Sequence, residues 1–372
     1  MDQLVCPKCK AAYPLDDRRW KCDCGSYLDI EFAAAFPLAK IKARKPTLWR
    51  YREAIPIKDN SSIVSFDEGF TPLLEVDIDG RSVLVKQDHL SPTGSYKDRG
   101  AAVLISKVKE LGIKEVVEDS SGNAGCAIAA YCARAGIRCH IFVPAKTAAA
   151  KSAQIQLYGA ALTWVPGSRE DTARAVLKAA EEVYYASHSW NPFFFHGTKT
   201  YAFEVCEQLG WKAPDAVILP VGNGTLLLGA AIGFRELLTA KVIKSLPKLI
   251  GIQSENCAPL YQAFRRNLKE IPRIAKKDTL AEGISIADPI RGMHIIDTVR
   301  ESNGDFFIVS DAEIKDALKN MAKKGYYIEP TSAATIAGAS KYLAKSKDEV
   351  VVSVFTGHGL KSPEKMLKIV AE

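Results

Sequence analysis

From residue 83 onward, short runs rich in Val, Ile and Phe alternate with stretches of helical period, and this alternation leaves few folds open. Extended runs fall at 83–86, 115–118, 138–143, 161–165 and 183–186, with helices predicted near 98–111, 124–135, 148–158, 169–182 and 196–209. A second series places strands at 216–219, 248–253, 306–309 and 349–355, with helices after Thr225 and from Asp311. Connections of this length suit crossover helices rather than hairpins, so the strands are expected to be parallel. At 372 residues the chain exceeds what one core fills. The expectation is an α/β fold of two doubly wound lobes with a ligand cleft between them. Between residues 31 and 80, Pro37, Pro46, Pro56 and Pro72 interrupt any long helix, which predicts an extended arm laid over a larger body.

Composition removes several function classes. No apolar stretch is long enough to cross a bilayer, so no membrane partner is expected. The opening Met1-Asp2-Gln3 lacks the pattern of a secretory signal, which makes the cytoplasm the expected location. The formal charge of +7 is scattered rather than blocked, which suits small anionic ligands. The local basic-aromatic hint, Arg18-Arg19-Trp20-Lys21, is too little for a nucleic-acid stripe, and no nucleic acid is expected.

Four of the nine cysteines are patterned: Cys6-Pro7-Lys8-Cys9 and Cys22-Asp23-Cys24-Gly25. Four thiolates can close tetrahedrally around zinc in a short ribbon, and a closed four-sulfur site is structural rather than catalytic. Redox-active or merely buried thiols are the alternative. A segment of this size needs such a staple, because it cannot bury a core unaided. Cys126, Cys132, Cys139, Cys206 and Cys257 lie in apolar patterns and read as core.

Four polar, glycine-bearing loops sit where strands meet helices. In Ser91-Pro92-Thr93-Gly94-Ser95-Tyr96-Lys97-Asp98-Arg99-Gly100, Lys97 stands at a helix start and could form an imine with an aldehyde; alone, it reads better as a capping lysine. In Ser120-Ser121-Gly122-Asn123-Ala124-Gly125, the N–H groups and hydroxyls around Ser121 and Gly122 suit a substrate carboxylate, and the Asn123 amide can reach a ring hydroxyl. In Pro220-Val221-Gly222-Asn223-Gly224-Thr225-Leu226, two glycines admit a phosphate to the positive end of the next helix. That loop lacks the P-loop lysine and the full dinucleotide spacing. In Phe355-Thr356-Gly357-His358-Gly359-Leu360-Lys361, Thr356 offers a neutral hydroxyl to a pyridine nitrogen, which would leave that nitrogen less cationic than an aspartate would. His358 reads equally as loop packing or a substrate contact.

Together these motifs resemble the threonine synthase branch of the tryptophan-synthase β-like family of pyridoxal-phosphate enzymes, fold type II. The resemblance also includes Leu48-Trp49-Arg50-Tyr51-Arg52, Asp67-Glu68-Gly69-Phe70-Thr71-Pro72-Leu73 and Asn191-Pro192 with Gly197-Thr198-Lys199-Thr200. It implies pyridoxal 5'-phosphate on Lys97, with Asn123 at the ring hydroxyl and Thr356 at the ring nitrogen. Gly222, Asn223, Gly224, Thr225 and Leu226 would hold the cofactor phosphate. It further implies a zinc-ribbon-like knuckle at 1–30, an arm and part of the large lobe at 31–95, the small lobe at 96–195 and the rest of the large lobe at 196–372. A homodimer acting on a small anionic amino acid, O-phosphohomoserine, is implied as well. One departure stands out. The family carries an arginine two residues after Asn-Pro that grips the substrate phosphate, and here that place is Phe194. Either Lys199, His196 or another cation substitutes, with Asn191 and Lys199 then contacting substrate, or the substrate is unphosphorylated. The latter would make the chain a serine or threonine dehydratase or a β-replacement enzyme. A catalytically silent protein working through its zinc ribbon is the reading from a different class, and the intact Lys97 loop argues against it.

Overall fold

The computed structural model describes residues 2–145, 147, 149–167 and 169–371. Position 148, where one helix is predicted to start, lies outside the described residues. In chain order the strands are β1 (Gln3–Val5), β2 (Ala12–Pro14), β3 (Asp29–Glu31), β4 (Leu73–Ile78), β5 (Arg81–Lys86), β6 (Glu115–Glu118), β7 (Arg138–Pro144), β8 (Ala161–Val165), β9 (Tyr184–Tyr185), β10 (Ala216–Pro220), β11 (Lys248–Ser254), β12 (Asp305–Val309) and β13 (Val351–Val354). The chain divides into two compact units, Met1–Gly69 with Lys97–Thr198, and Phe70–Tyr96 with Lys199–Glu372.

The first unit contains a four-stranded parallel sheet of order β8-β7-β6-β9. From β6 the chain steps outward to β7 and β8, then returns to the other side of β6. The strand order therefore reverses between β6 and β9, and open α/β sheets bind ligands at the carboxyl ends of the strands flanking such a reversal. The arm packs into the same hydrophobic cluster as the helix Lys97–Glu110, through Leu48, Ile55, Ile57 and Val64. Trp49 Nε1 donates to Glu68 Oε1 at 2.9 Å, and Arg50 donates to the Ile41 carbonyl. The N-terminal ribbon, order β2-β1-β3, is no separate body, since Leu4, Leu15 and Leu28 join this cluster too. Three strands of three residues have too little apolar surface to do otherwise.

The second unit is built on a six-stranded sheet of order β12-β11-β10-β13-β5-β4. Five strands are parallel, and the order again reverses, between β10 and β13. The structure corrects one expectation here: the extended arm ends early, because β4 pairs antiparallel with β5 through a two-residue turn. Asp79 (φ 52°) and Gly80 (φ 79°) both take positive φ, the requirement of a type I′ hairpin. The Asp-Gly pair signals that hairpin in the sequence, but Leu73-Leu74-Glu75 breaks the alternation and hides the strand. A second correction concerns the helix predicted at 196–209. It is two helices, Pro192–Thr198 and Thr200–Gln208. The first starts early because Asn191 Oδ1 accepts from the Phe193 N–H and caps it.

A fully buried ion pair, Lys86 Nζ to Glu204 Oε2 at 2.8 Å, joins β5 to the helix Thr200–Gln208. Lys86 Nζ also donates to the Thr71 carbonyl and Gln208 Oε1. Removing one partner strands a buried charge, so Lys86→Met is expected to cost about 3–5 kcal/mol. A urea midpoint unchanged from the parent would contradict that. No helix among the described residues is long and apolar enough to cross a membrane.

Candidate active site

At the reversal point of the first unit, β6 ends on Glu118 and runs into Asp119 and the serine-rich loop. Gly122 caps the helix Asn123–Ala135 with no side-chain hydrogen bond, so the first-turn N–H groups keep their capacity for an anion. Ser120 Oγ accepts from the Gly122 N–H at 3.3 Å. Ser121 and Asn123 are half-buried and Gly122 is exposed. Helix and loop are locked together at Gly125, where an added Cβ would lie 1.8 Å from the Ser120 carbonyl oxygen. Gly125→Ala must therefore push the loop off the helix; a loss of about 1–3 kcal/mol in urea unfolding is expected.

Lys97, half-buried, is the first residue of the helix Lys97–Glu110. Its Nζ lies 5.7 Å from the centroid of the Phe194 ring. Phe194 is completely buried against that helix, and a Cβ on Gly100 would meet its ring at 2.3 Å. The ring is thus a packing element where the resembling enzymes place a cation. Asn191 is buried, its Nδ2 donating to Tyr184 OH at 2.7 Å while Oδ1 caps the helix. Sequence reasoning missed a neighbouring cluster. His188 Nδ1 lies 2.6 Å from Glu118 Oε1, and ligand atoms of Glu118, Asp119 and His188 all fall within 4.8 Å of one another. Tyr185 OH donates to Asp119 at 2.7 Å. The local signal was their position at or just past two strand ends.

At the reversal point of the second unit, β10 runs into Gly222, Asn223, Gly224, Thr225 and Leu226. Gly224 sits at φ 73°, and a Cβ there would strike Ile295 at 2.4 Å. It caps the helix Thr225–Thr239 with no side-chain hydrogen bond, leaving an N-terminus suited to a phosphate. Thr225 Oγ1 is 2.8 Å from the hydroxyl of Tyr96, the residue before Lys97 in the chain. Ser95 Oγ is buried with no hydrogen-bond partner among the described residues, a cost of about 1–3 kcal/mol that a polar ligand would remove. Backbone bridging pairs Ser95 with Gly357, beside the fully buried Thr356 at the end of β13. An uncapped helix start, glycines without room for a Cβ and an orphaned hydroxyl on the adjoining bridge fit a phosphorylated polar ring.

His358 accepts from the Leu360 N–H at 3.2 Å and stacks on His89 at 5.8 Å, so it serves the loop's own geometry. Burial pushes His89 down to about 4. Lys199 is fully buried with Nζ 2.7 Å from Glu236 Oε1. Burial drives both toward their neutral forms, Lys199 downward and Glu236 upward.

In the ribbon, Cys6 Sγ is 3.5 Å from Cys24 Sγ and Cys9 Sγ is 3.4 Å from Cys22 Sγ. All four sulfurs lie within 4.8 Å of one another. These separations are too long for disulfides and near the ~3.8 Å edge of a tetrahedron with Zn–S bonds of ~2.3 Å. The Tyr13 hydroxyl, 3.1 Å from Cys22 Sγ, pulls that thiol down to about 6. The other five cysteines are buried.

A family model described as pyridoxal-phosphate dependent enzyme matches residues 64–357. A threonine synthase from Methanocaldococcus jannaschii is 38% identical over 379 residues, covering 98% of this chain and 94% of the relative. A threonine synthase from Methanosarcina acetivorans is 35% identical, covering 100% and 95%. Among solved structures, the processed form of threonine deaminase isoform 2 from Solanum lycopersicum superposes with a TM-score of 0.72 at 22% identity, over 88% of this chain and 90% of that one, a likeness of fold. With its family motifs resting at the two strand-order reversals, the chain belongs to the pyridoxal-phosphate-dependent enzyme family.

Proposed function

We propose that this chain is a threonine synthase, converting O-phosphohomoserine and water to threonine and phosphate. The near-complete overlap with threonine synthases carries the reading. Pyridoxal phosphate, when bound, supplies an electron sink for the charge left at the substrate Cα. Lys97 would hold the cofactor covalently through its amine and would carry protons at the substrate Cα and Cβ. The start of Thr225–Thr239, with Gly222, Asn223, Gly224, Thr225 and Leu226, would hold the cofactor phosphate. Asn123 would meet the ring hydroxyl, and Thr356 the ring nitrogen. Ser121 and Gly122 orient the substrate carboxylate at the start of Asn123–Ala135. Phosphate leaves from Cγ and water adds at Cβ. The Lys199 amine is engaged by Glu236, and both ends of the Asn191 amide are engaged locally; we therefore assign these two side chains to shaping the site's walls.

Cys6, Cys9, Cys22 and Cys24 are assigned to one structural zinc ion. A homodimer in the cytoplasm rests on the family resemblance, and sedimentation of the purified protein checks the dimer.

One observation favours a second reading. Phe194 is apolar and buried, and the nearby cluster contains two carboxylates, Glu118 and Asp119, against one imidazole. Neither attracts a phosphate, which suits a dehydratase or β-replacement enzyme acting on an unphosphorylated amino acid. Turnover of O-phosphohomoserine, serine, threonine and O-acetylserine by purified holoprotein separates the two. Phosphate release with threonine formation from O-phosphohomoserine alone is expected; 2-oxo acid from serine or threonine with no phosphate release would overturn the first reading.

A further inference from the structure

The residue before Lys97 carries a hydroxyl that meets the start of a helix far along the chain. Tyr96 OH lies 2.8 Å from Thr225 Oγ1, across 129 positions of sequence. Thr225 is the first residue of the helix Thr225–Thr239 and is buried, while Tyr96 is half-buried. Ile295 closes the Cβ position of the preceding Gly224 and so holds the turn that presents Thr225. Backbone fixes the other side of the tyrosine. Its N–H donates to the Thr356 carbonyl at 2.9 Å, Ser95 bridges to Gly357, and the His358 N–H donates to the Gly94 carbonyl at 2.9 Å. Lys361 Nζ adds a bond to the Thr93 carbonyl at 2.9 Å. Residues 93–96 are therefore strapped to the loop after β13, and the last of them is bonded to the residue that follows the glycine turn.

In the protein alone either hydroxyl can supply the proton of the Tyr96–Thr225 bond. An anion removes that freedom. The oxygens of an ionised phosphate ester accept, so a hydroxyl in contact with one must turn its single proton toward it. Once Thr225 makes that contact its proton is committed, and only its lone pairs are left for Tyr96. The tyrosine must then be the donor. A phenol donates more strongly than an aliphatic alcohol, and hydrogen bonds in series polarise one another where water is excluded. The Thr225 O–H is thereby both oriented and strengthened toward the anion.

We propose that Tyr96 is a positioning residue for the cofactor phosphate, donating its O–H to Thr225 Oγ1 so that the Thr225 proton points at a phosphate oxygen. The inference rests on the assignment of the 222–226 turn to that phosphate. A phenylalanine at this place would fill the same space and supply no proton, so packing accounts for the ring and leaves the hydroxyl beside Thr225 to be explained. Lys97 follows Tyr96 in the chain. The residue that orients the phosphate contact is thus covalently joined to the one proposed to hold the aldehyde.

The test is equilibrium binding of pyridoxal 5'-phosphate, and of pyridoxal, which lacks the phosphate, to full-length protein stripped of cofactor. Borohydride trapping and peptide mass mapping at Lys97 run in parallel. Tyr96→Phe is expected to weaken pyridoxal 5'-phosphate binding about tenfold, the size of one buried hydrogen bond, and to leave pyridoxal binding unchanged. In a Thr225→Val background, which removes the relaying hydroxyl, the same substitution is expected to add no further loss. Equal losses for the two ligands would show that Tyr96 serves packing and would overturn the inference. So would an undiminished affinity for pyridoxal 5'-phosphate, or the full tenfold loss retained beside Thr225→Val. A structure of the wild-type holoprotein with Thr225 Oγ1 out of hydrogen-bond reach of the phosphate would overturn it with no variant needed. Each of these results leaves a Lys97 adduct standing, whereas wild-type protein that forms no adduct at Lys97 would bring down the functional reading and the inference with it.

Discussion

Lys97→Ala is expected to abolish turnover, by ~10⁴-fold or more, because in the function proposed above one side chain supplies both the covalent hold on the cofactor and the proton carrier for Cα and Cβ. The fold should survive. Lys97 opens the helix Lys97–Glu110, where alanine is a good helix former, and its half-buried side chain leaves no large cavity behind. Phe194 remains wedged against Gly100, so the packing beneath the helix is retained. Lys97→Arg is the companion variant, since it keeps a cation but offers no amine able to form an imine, and an equal loss is expected. Phosphate release measured beside far-ultraviolet circular dichroism checks both. A well-folded alanine variant retaining a tenth of the parent rate would refute the assigned role.

Removing the proposed zinc should have the largest effect on stability. The ribbon is three strands of three residues, and its four sulfurs converge to within 4.8 Å. The free energy of filling such a site in small zinc domains is on the order of 10 kcal/mol, and it is coupled to folding. One zinc per chain by elemental analysis is expected. After chelation, amide hydrogens across residues 2–31 should exchange as in an unfolded segment, while β10, β11 and β13 keep their protection. Cys22→Ser should reproduce this without a chelator. A metal-free protein with a fully protected ribbon would show that packing of Leu4, Leu15 and Leu28 suffices without the metal.

The motifs behind the proposed chemistry were legible before any coordinates. The serine-rich loop and the Gly222–Gly224 turn announce themselves because only certain residues tolerate positive φ, close backbone approach or an anion at a helix start. Cysteine spacing marks the ribbon for a similar reason: a tetrahedral site demands four sulfurs within a short reach of chain. The Asp79-Gly80 hairpin was equally local, and it was missed because only Val76 and Ile78 of β4 are buried, too weak a pattern to register. Lys199 illustrates the opposite case. Its amine is plain in the sequence, but its partner Glu236 is 37 residues away, and nothing short of the fold reveals that the amine is engaged.

The sequence by itself determined the α/β class, because period and spacing are encoded within a dozen or so neighbouring residues, and it carries the motifs on which the roles of the lysine loop, the glycine turns and the ribbon cysteines are proposed. The tertiary structure alone decided strand order, and with it the two reversals that bring β6 beside β9 and β10 beside β13. It alone paired His188 with Glu118 across 70 residues, buried Phe194 as packing and set the Tyr96 hydroxyl beside Thr225 across 129. Those outcomes depend on which distant groups share a desolvated space, and a hydrogen bond between two such groups leaves no mark on the local pattern of either.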